Sequence, residues 1–133
     1  MERLLNLPCD VNSYSPLTLA FLGDTVYDLL VREELLCRGN CGTKKLHSEA
    51  VEKVRCAAQS QTALWLEPLL TEEEAAVYRR GRNAHPGHTP KNADVGDYHR
   101  ATGLEALFGY LYLKGEMERI RELFRLAEEM NEG

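Results

Sequence analysis

Two carboxylates interrupt long apolar stretches of this 133-residue chain. Asp24 lies within residues 19–31, LAFLGDTVYDLLV, and Glu105 lies within residues 103–111, GLEALFGYL. An ionised carboxylate among apolar groups costs free energy unless a positive group pairs with it. Two facing helices that carry these residues would make a candidate site for Mg²⁺, a cation that prefers carboxylate oxygens and retains several waters. Such an ion could activate a water molecule and neutralise charge on a phosphodiester.

Each carboxylate also has an ordinary structural interpretation. Asp28 follows Asp24 by four residues, and like charges at this spacing destabilise a helix mildly unless a cation joins them. Arg32 follows by four more, so Asp28 and Arg32 can form a helix-surface ion pair, which we favour for Asp28. Asp24 alternatively occupies an exposed helix position or has a partner elsewhere in the fold. Glu105 alternatively faces solvent on an otherwise buried helix.

Capping signals predict the two helices that carry these carboxylates. Ser15 as N-cap and Pro16 at the first helical position open a helix that ends near residue 37, where a glycine stop follows. The second carboxylate lies on a helix predicted over residues 98–114, which Gly115 ends. Both helices carry more apolar residues than one buried stripe needs.

Two glycines near the carboxylates, Gly23 and Gly109, indicate that another backbone comes close to each helix. The remaining helices share a helical spacing of apolar residues and are predicted over residues 43–63 (capped by Thr43), 71–82 (with a capping box of Thr71 and Glu74) and 116–130. No segment alternates with a period of two. We therefore predict a single all-α domain over residues 1–133.

A basic segment precedes the helix of the second carboxylate. The net charge of −5, from 16 Lys+Arg and 21 Asp+Glu, argues against a nucleic-acid binder, but residues 79–92 contain no acid. The candidate nucleic-acid-binding residues of this segment are Arg79, Arg80, Arg82, Asn83, His85, His88, Lys91 and Asn92. Such donors suit the phosphates of a nucleic acid. Arginines at a helix C-terminus are also favourable without any ligand, so both interpretations stay open.

The chain has four cysteines, Cys9, Cys37, Cys41 and Cys56, none in a C-x-x-C pair. Two of them, Cys37 and Cys41, could join Cys56 and His47 at a zinc ion, but we favour free thiols because structural zinc sites usually show recognisable ligand pairs. No apolar run is long enough to span a bilayer, and the N-terminus shows no secretory signal pattern. We expect a cytoplasmic protein.

The strings LAFLGDTVYD, RGRNA, PKNADV and TGLEALFGYLYL, in this order, resemble the Mini-ribonuclease III family, the small stand-alone relatives of the ribonuclease III catalytic domain. The likeness spans roughly residues 15–125. The letters LGD and EAL, which contain Asp24 and Glu105, correspond to the two catalytic segments of the family. The resemblance implies an all-α homodimeric endonuclease with these two residues as catalytic metal ligands. It also implies Mg²⁺-dependent hydrolysis of double-stranded RNA to 5′-phosphate and 3′-hydroxyl ends, in the trimming of precursor ribosomal RNA.

The chain departs from full-length ribonuclease III at three positions. The larger enzymes carry acids where this chain has Leu17, Ala20 and Thr102, so the implied metal shell is thinner, and water or substrate would complete it. We place Asp28 and Thr102 beside the two ligands, as residues that would orient them without binding the metal. We expect no separate double-stranded-RNA-binding domain, so the basic segment over residues 79–92, and RGRNA above all, would bind the RNA. Double-stranded RNA is recognised mainly through its phosphates and 2′-hydroxyls, which these donors suit.

The main hypothesis is a Mg²⁺-dependent endoribonuclease that acts on duplex RNA as a homodimer, with the apolar first helix in the dimer face. Its expected partners are double-stranded RNA, a second copy of the chain and ribosomal proteins. The alternative is a non-catalytic RNA-binding or ribosome-associated helical module, which the missing acids motivate. Turnover in Mg²⁺ against EDTA separates these two. A third hypothesis, a helical protein-interaction domain, leaves the acid-free basic segment unexplained.

Overall fold

The computed structural model describes residues 3–39, 41–84 and 94–132. Within these ranges the chain forms helices and no strands, which confirms the predicted all-α class. The α-helices are α1 (Pro16–Arg38), α2 (Thr43–Val54), α3 (Cys56–Leu66), α4 (Glu72–Arg82), α5 (Val95–Leu113) and α6 (Met117–Glu132). Short 3₁₀ turns at Val11–Ser13 and Glu67–Leu69 precede α1 and follow α3. None of the described helices is long and apolar enough to cross a lipid bilayer.

The predicted capping signals begin α1 and α4. The Ser15 hydroxyl accepts a hydrogen bond from the Thr18 N–H, and Pro16 takes a position where its missing N–H costs nothing. At α4, the Thr71 hydroxyl accepts from the Glu74 N–H at 3.2 Å, while the Glu74 carboxylate accepts from the Thr71 N–H at 2.9 Å. This reciprocal capping box satisfies two backbone donors and confirms the predicted start of α4.

Glycines follow both carboxylate helices, but only one of them needs its conformational freedom. Gly115, after α5, has a φ of 76°, in the left-handed region that favours glycine. Its N–H donates to the Tyr112 carbonyl at 2.9 Å and ends the helix as predicted. Gly39, after α1, has a φ of 176°, an extended conformation that any residue adopts. The helix therefore ends near the predicted residue, but without a left-handed cap.

Helix α5 is the centre of the fold. It packs against α1, α3, α4 and α6, and its buried residues lie on all sides of the helix. This explains the nearly continuous apolar sequence, since a helix that is apolar all round must be covered all round. Leu104, Leu107 and Phe108 are fully enclosed. The Phe108 ring meets Tyr27 of α1 edge to face, with the centroids 5.3 Å apart.

Glycines allow α5 to touch its neighbours backbone to backbone. A Cβ added to Gly23 of α1 would lie 1.6 Å from the backbone oxygen of Glu105, and one added to Gly109 would lie 2.0 Å from the Leu19 oxygen. On another side of α5, a Cβ on Gly103 would come within 2.8 Å of α4. Any side chain at these positions would separate the helices. The predicted close approach is thus confirmed, and it occurs at the level of the two carboxylates.

The helix predicted over residues 43–63 is wrong, because this segment forms two helices. Arg55 adopts an extended conformation (φ −65°, ψ 156°) between α2 and α3, and the change of direction allows α3 to pack on α5. No glycine or proline marks this break in the sequence. Thr43 is the first residue of α2 rather than its cap; Gly42 is the N-cap, without a side-chain hydrogen bond.

Helix α5 begins three residues earlier than predicted, at Val95. The Asp94 carboxylate accepts a hydrogen bond from the Asp97 N–H at 2.9 Å and caps the helix. Residues 94–98 therefore belong to the cap and first turn of the central helix. As a result, α5 is long enough to carry residues of both the carboxylate site and the neighbouring cleft described below.

Ion pairs fasten α6 to the other helices. The Arg119 guanidinium contacts the Glu74 carboxylate of α4 with two distances of 2.8 Å. At the opposite end of α6, the Lys53 ammonium lies 2.8 Å from Glu34 of α1 and 2.8 Å from Glu128 of α6. These pairs are partly shielded from water, so they hold geometry better than exposed pairs do.

Candidate active site

The structure brings the two predicted ligand carboxylates together. Asp24 on α1 and Glu105 on α5 lie side by side, because the helices meet at Gly23 and Gly109. The two carboxylates are within hydrogen-bonding range of each other. Asp24 is exposed, whereas Glu105 is half-buried. Asp24 is therefore surrounded by apolar residues in sequence but not in space, and its carboxylate is open to an ion or ligand from solvent.

Glu105 lies in an environment that disfavours its charge. Burial is the largest cause, and the charge of Asp24 and the hydrogen bond with it add to this effect, so that the pKa of Glu105 rises to about 8. Two carboxylates that share a site resist simultaneous ionisation. A divalent cation between them would favour the ionised form of both. The electrostatics of the pair therefore match those of a cation site.

Helix α3 closes a further side of this site. Gln59 is buried and lies within hydrogen-bonding range of Glu105, where it acts to lower the pKa of that carboxyl group. Cys56, one turn earlier, is also near: burial and then the charges of Asp97 and Glu105 raise the pKa of its thiol. Sequence reasoning missed both residues. In a single sequence, a glutamine and a cysteine in an alanine-rich stretch give no signal of a site.

Arg100 of α5 contacts α3 and lines a further cleft. Its Nε donates to the Ser60 hydroxyl at 2.6 Å, and its Nη2 lies 3.1 Å from the Asp97 carboxylate. Hydrogen bonds from Ser60 and then Arg100 lower the pKa of Asp97. The cleft has a volume of about 390 Å³, and its lining residues are Arg82, Asn83, Gly96, His99 and Arg100. Two arginines and an asparagine thus line a cleft between the end of α4 and the start of α5.

The described part of the basic segment lies at the C-terminal end of α4. Arg79 and Arg80 are exposed. Arg82 is half-buried: its guanidinium carbon lies 5.6 Å from the centre of the Tyr78 ring, and its Nη1 lies 3.6 Å from a Glu67 oxygen. Arg82 is therefore held in place by protein contacts, while Arg79 and Arg80 extend into solvent.

Four of the predicted RNA-binding residues, His85, His88, Lys91 and Asn92, lie outside the described residues. Their contacts with RNA remain predictions. Asn83 is exposed at the end of α4 and lines the cleft. The donors that the structure does describe are therefore gathered around α4 and the start of α5.

Asp28 and Thr102 both use their side chains within their own helices. The Asp28 carboxylate lies 3.1 Å from the Arg32 Nε, which is the helix-surface ion pair that we favoured. Thr102 is 6% exposed, and its hydroxyl donates to the Tyr98 carbonyl at 2.9 Å. Roles for these two residues beside the metal ligands remain predictions.

The two carboxylates form a sparse donor set. Two of the positions where larger relatives carry acids, Ala20 and Thr102, are each only 6% exposed and filled by packing. In residues 3–39, 41–84 and 94–132, no group of three or more His, Cys, Asp or Glu is placed to hold a metal ion, and the cysteines are free thiols. A pair of hard oxygen ligands fits Mg²⁺, which is commonly bound by one or two carboxylates and several waters.

Comparison with known proteins agrees with this geometry. The Ribonuclease III domain family matches residues 17–116. A Mini-ribonuclease 3 from Brevibacillus brevis is 48% identical over 124 residues, which cover 93% of this chain and 92% of the relative. The Mini-ribonuclease 3 of Streptococcus pneumoniae is 41% identical over 126 residues, 93% of this chain and 98% of the relative. An X-ray structure of a protein from Fusobacterium nucleatum is 31% identical, with a TM-score of 0.81, and covers 90% of this chain and 97% of that one.

These matches include the whole of the candidate site. The family match begins one residue inside α1 and continues past the end of α5, so it contains Asp24, Glu105 and the α3 residues beside them. Identity of this size extends over nearly the full length of both chains in each pair. The chain therefore belongs to the Mini-ribonuclease 3 family of ribonuclease III domain proteins.

Proposed function

We propose that this protein is a Mg²⁺-dependent endoribonuclease that cleaves double-stranded RNA, with Asp24 and Glu105 as its catalytic metal ligands. The observation that carries the proposal is the paired carboxylate site, in which burial and Asp24 raise the pKa of Glu105 to about 8. Such a pair is unfavourable by itself and becomes favourable with a cation. Family membership supports ribonuclease activity, and the paired site supports the dependence on metal.

The two ligands would play different parts. A bound Mg²⁺ would supply an activated water and neutralise charge on the scissile phosphodiester, which would leave 5′-phosphate and 3′-hydroxyl ends. Glu105 is held on the central helix and half-buried, so its position is fixed by packing. Asp24 is exposed and open to the solvent from which a duplex must approach. Glu105 would therefore hold the metal at a fixed position, and Asp24 would bind it on the side from which the duplex approaches.

The basic segment would bind the phosphates of the duplex. Arg79 and Arg80 extend from the end of α4, and Arg82 and Asn83 line a cleft together with Arg100 of α5. Double-stranded RNA is recognised mainly through its phosphates and 2′-hydroxyls, which such donors suit. The cleft is shared with α5, the helix that carries Glu105, and this supports RNA contact over the alternative of a merely solvated helix end.

A homodimer would place two such sites on one duplex. Helix α1 exposes large apolar side chains, with Phe21 at 82%, Leu29 at 53% and Leu36 at 56% exposure. Exposed apolar residues grouped on one helix often mark an interface. A symmetric dimer through α1 would bury these residues and bring two copies of Asp24 to one surface. Sedimentation equilibrium at micromolar concentration tests this, and a monomer would contradict it.

The proposed biological role is the maturation of precursor ribosomal RNA in the cytoplasm, with ribosomal proteins as partners. What supports this role is the resemblance of the chain to Mini-ribonuclease III, rather than any feature of the site. Cleavage of a purified precursor transcript, with and without ribosomal proteins, would test it. The ends can be mapped by primer extension. Cleavage of generic duplexes but not of the precursor would contradict the role and leave the activity intact.

The decisive experiment for the activity compares cleavage of a duplex RNA in Mg²⁺ and in EDTA. We expect Asp24→Asn and Glu105→Gln each to reduce the rate by more than about 100-fold, beyond the loss typical of residues that only support a metal ligand. Glu33→Gln, which removes an exposed acid from α1, is the matched control and should cut at the wild-type rate. Full activity of either site variant would show that the substituted residue is not a catalytic metal ligand.

The same assay separates the enzyme from a non-catalytic RNA-binding module, which would bind the duplex but show no cleavage in Mg²⁺. For the basic segment, we expect Arg80→Ala and Arg82→Ala each to weaken duplex binding and to lower the salt dependence of log Kd by about one unit per lost phosphate contact. Glu129→Ala, an exposed acidic change on α6, is the control. Equal effects of the basic and acidic substitutions on duplex binding would show that RNA does not bind at the basic segment.

A further inference from the structure

Gln59 has an unusual environment for a buried amide. Its side chain is 3% exposed, and its Nε2 donates to the carbonyl of Val54, at the end of α2, at 2.9 Å. The same amide lies close enough to the Glu105 carboxylate to lower its pKa. Its Oε1 is buried and accepts no hydrogen bond from any residue in the described part of the chain. The side chain thus joins the α2–α3 junction to the carboxylate site.

The unpaired Oε1 indicates that packing alone does not explain a glutamine here. A buried acceptor without a partner costs about 1–3 kcal/mol. Methionine has a similar length and would fill the same space without this cost. What only the amide can provide is an N–H for the Val54 carbonyl and a second N–H near Glu105. The contact with Glu105 is therefore the feature that methionine would lose at the site itself.

Glu105 needs such support more than a ligand in a crowded metal site does. Its partner in the described site is one exposed carboxylate, Asp24, so few protein groups define where the metal lies. A carboxylate side chain retains rotational freedom unless a hydrogen bond fixes it. Outer partners that orient metal ligands typically contribute 10–100-fold to metal affinity or activity.

We propose that Gln59 is a positioning residue of the metal site, which holds the Glu105 carboxylate in place through its amide N–H and so strengthens metal binding. The inference rests on the proposed function, since it requires a cation at Asp24 and Glu105. It assigns to α3, which provides neither ligand, a direct part in building the site. The tether to Val54 gives the amide a fixed orientation from which to act.

The test measures Mn²⁺ binding by electron paramagnetic resonance of the free ion, on the full chain without RNA. Mn²⁺ suits the same carboxylate and water ligands as Mg²⁺. We expect Gln59→Met and Gln59→Asn each to weaken Mn²⁺ binding by about tenfold. Methionine keeps the volume and loses the donor, while asparagine keeps the amide but withdraws it by one methylene. Gln61→Met, an exposed change on the same helix, is the matched control and should bind as the wild type does.

Thermal unfolding of the same variants distinguishes positioning from a structural role. A purely structural Gln59 predicts lower unfolding midpoints with unchanged Mn²⁺ affinity, and affinities within twofold of the wild type would overturn the inference. Glu105→Gln in the same titration tests the proposed function separately. If Glu105→Gln binds Mn²⁺ as tightly as the wild type, the metal site itself is wrong, and the role of Gln59 falls with it.

Discussion

Glu74 of α4 and Glu105 of α5 occupy opposite electrostatic environments. Glu74 is the more enclosed, at 6% exposure. Burial alone would raise its pKa, but two hydrogen bonds from Arg119 and one from the Thr71 N–H outweigh burial and lower the pKa of Glu74 below its usual value. The chain thus provides a cation and a cap for a carboxylate that has only a structural task.

Glu105 receives no comparable compensation in its immediate environment. Its charged neighbour is Asp24, which together with burial raises its pKa to about 8, and the Gln59 amide opposes this only in part. The fold thus supplies a cation to the buried Glu74 carboxylate but, among the described residues, supplies none to the Asp24–Glu105 pair. A bound cation would have to neutralise that pair. A strongly shifted pKa in a residue near the solvent-accessible surface is typical of functional sites.

The largest loss of stability should come from removing the guanidinium of Arg119, which pairs with Glu74. Arg119→Met leaves a buried carboxylate without its partner, and we expect the free energy of unfolding to fall by about 3 kcal/mol. Urea denaturation at pH 7 measures the loss. Arg121→Met, which removes an exposed ion pair with Glu118 in the same helix, is the control and should cost less than about 1 kcal/mol. Equal losses would show that the Glu74 pair is no more than a surface contact.

A second test separates the helices at Glu105 and leaves Glu74 untouched. In Gly23→Ala the new Cβ would lie 1.6 Å from the Glu105 backbone oxygen, so α1 must move away from α5. We expect a loss of about 2 kcal/mol in stability, typical of overpacking, together with weaker Mn²⁺ binding. Gly39→Ala is the matched control, because nothing lies within 4 Å of its added Cβ. Wild-type stability of Gly23→Ala would contradict the backbone contact.

The third test uses pH, and the two glutamates should respond with opposite signs. The pKa of Glu105 is about 8 in the folded state, against an ordinary value of 4.5, so the folded protein binds more protons between these values than the unfolded chain does. Its contribution to stability is therefore complete below pH 4.5 and is lost as the pH rises to about 8. In EDTA, Glu105→Gln should gain stability relative to the wild type over this range, by more than about 1.4 kcal/mol, the equivalent of one pKa unit.

Glu74→Gln is the counterpart in this experiment. Because the pKa of Glu74 is lowered, its contribution is present above its ordinary value of 4.5 and is lost as the pH falls through the folded-state value. The variant should be least stable relative to the wild type at neutral pH, and the deficit should shrink on acidification. Urea denaturation at several pH values measures both differences. A pH-independent difference for Glu105→Gln would mean that burial does not disfavour its charge.

Local signals predicted local features well. Thr71 and Glu74 form the capping box that their spacing indicates, and Ser15 begins α1 as expected. These motifs depend on residues three or four positions apart, so the chain specifies them without help from the rest of the fold. The break at Arg55 was missed for the converse reason. Its extended conformation is favoured by the packing of α3 on α5, which no neighbouring residue indicates.

Helical spacing and capping residues were enough to predict the all-α class. The two interrupted apolar runs were enough to single out their glycines and the carboxylates Asp24 and Glu105. Contacts between distant segments made Asp24 exposed, placed Glu105 half-buried beside it, and brought Gln59 near Glu105 from a position without a motif. Distance along the chain explains this division. Helix periodicity and caps act over a few residues, whereas desolvation and charge coupling arise only when α1, α3 and α5 come into contact.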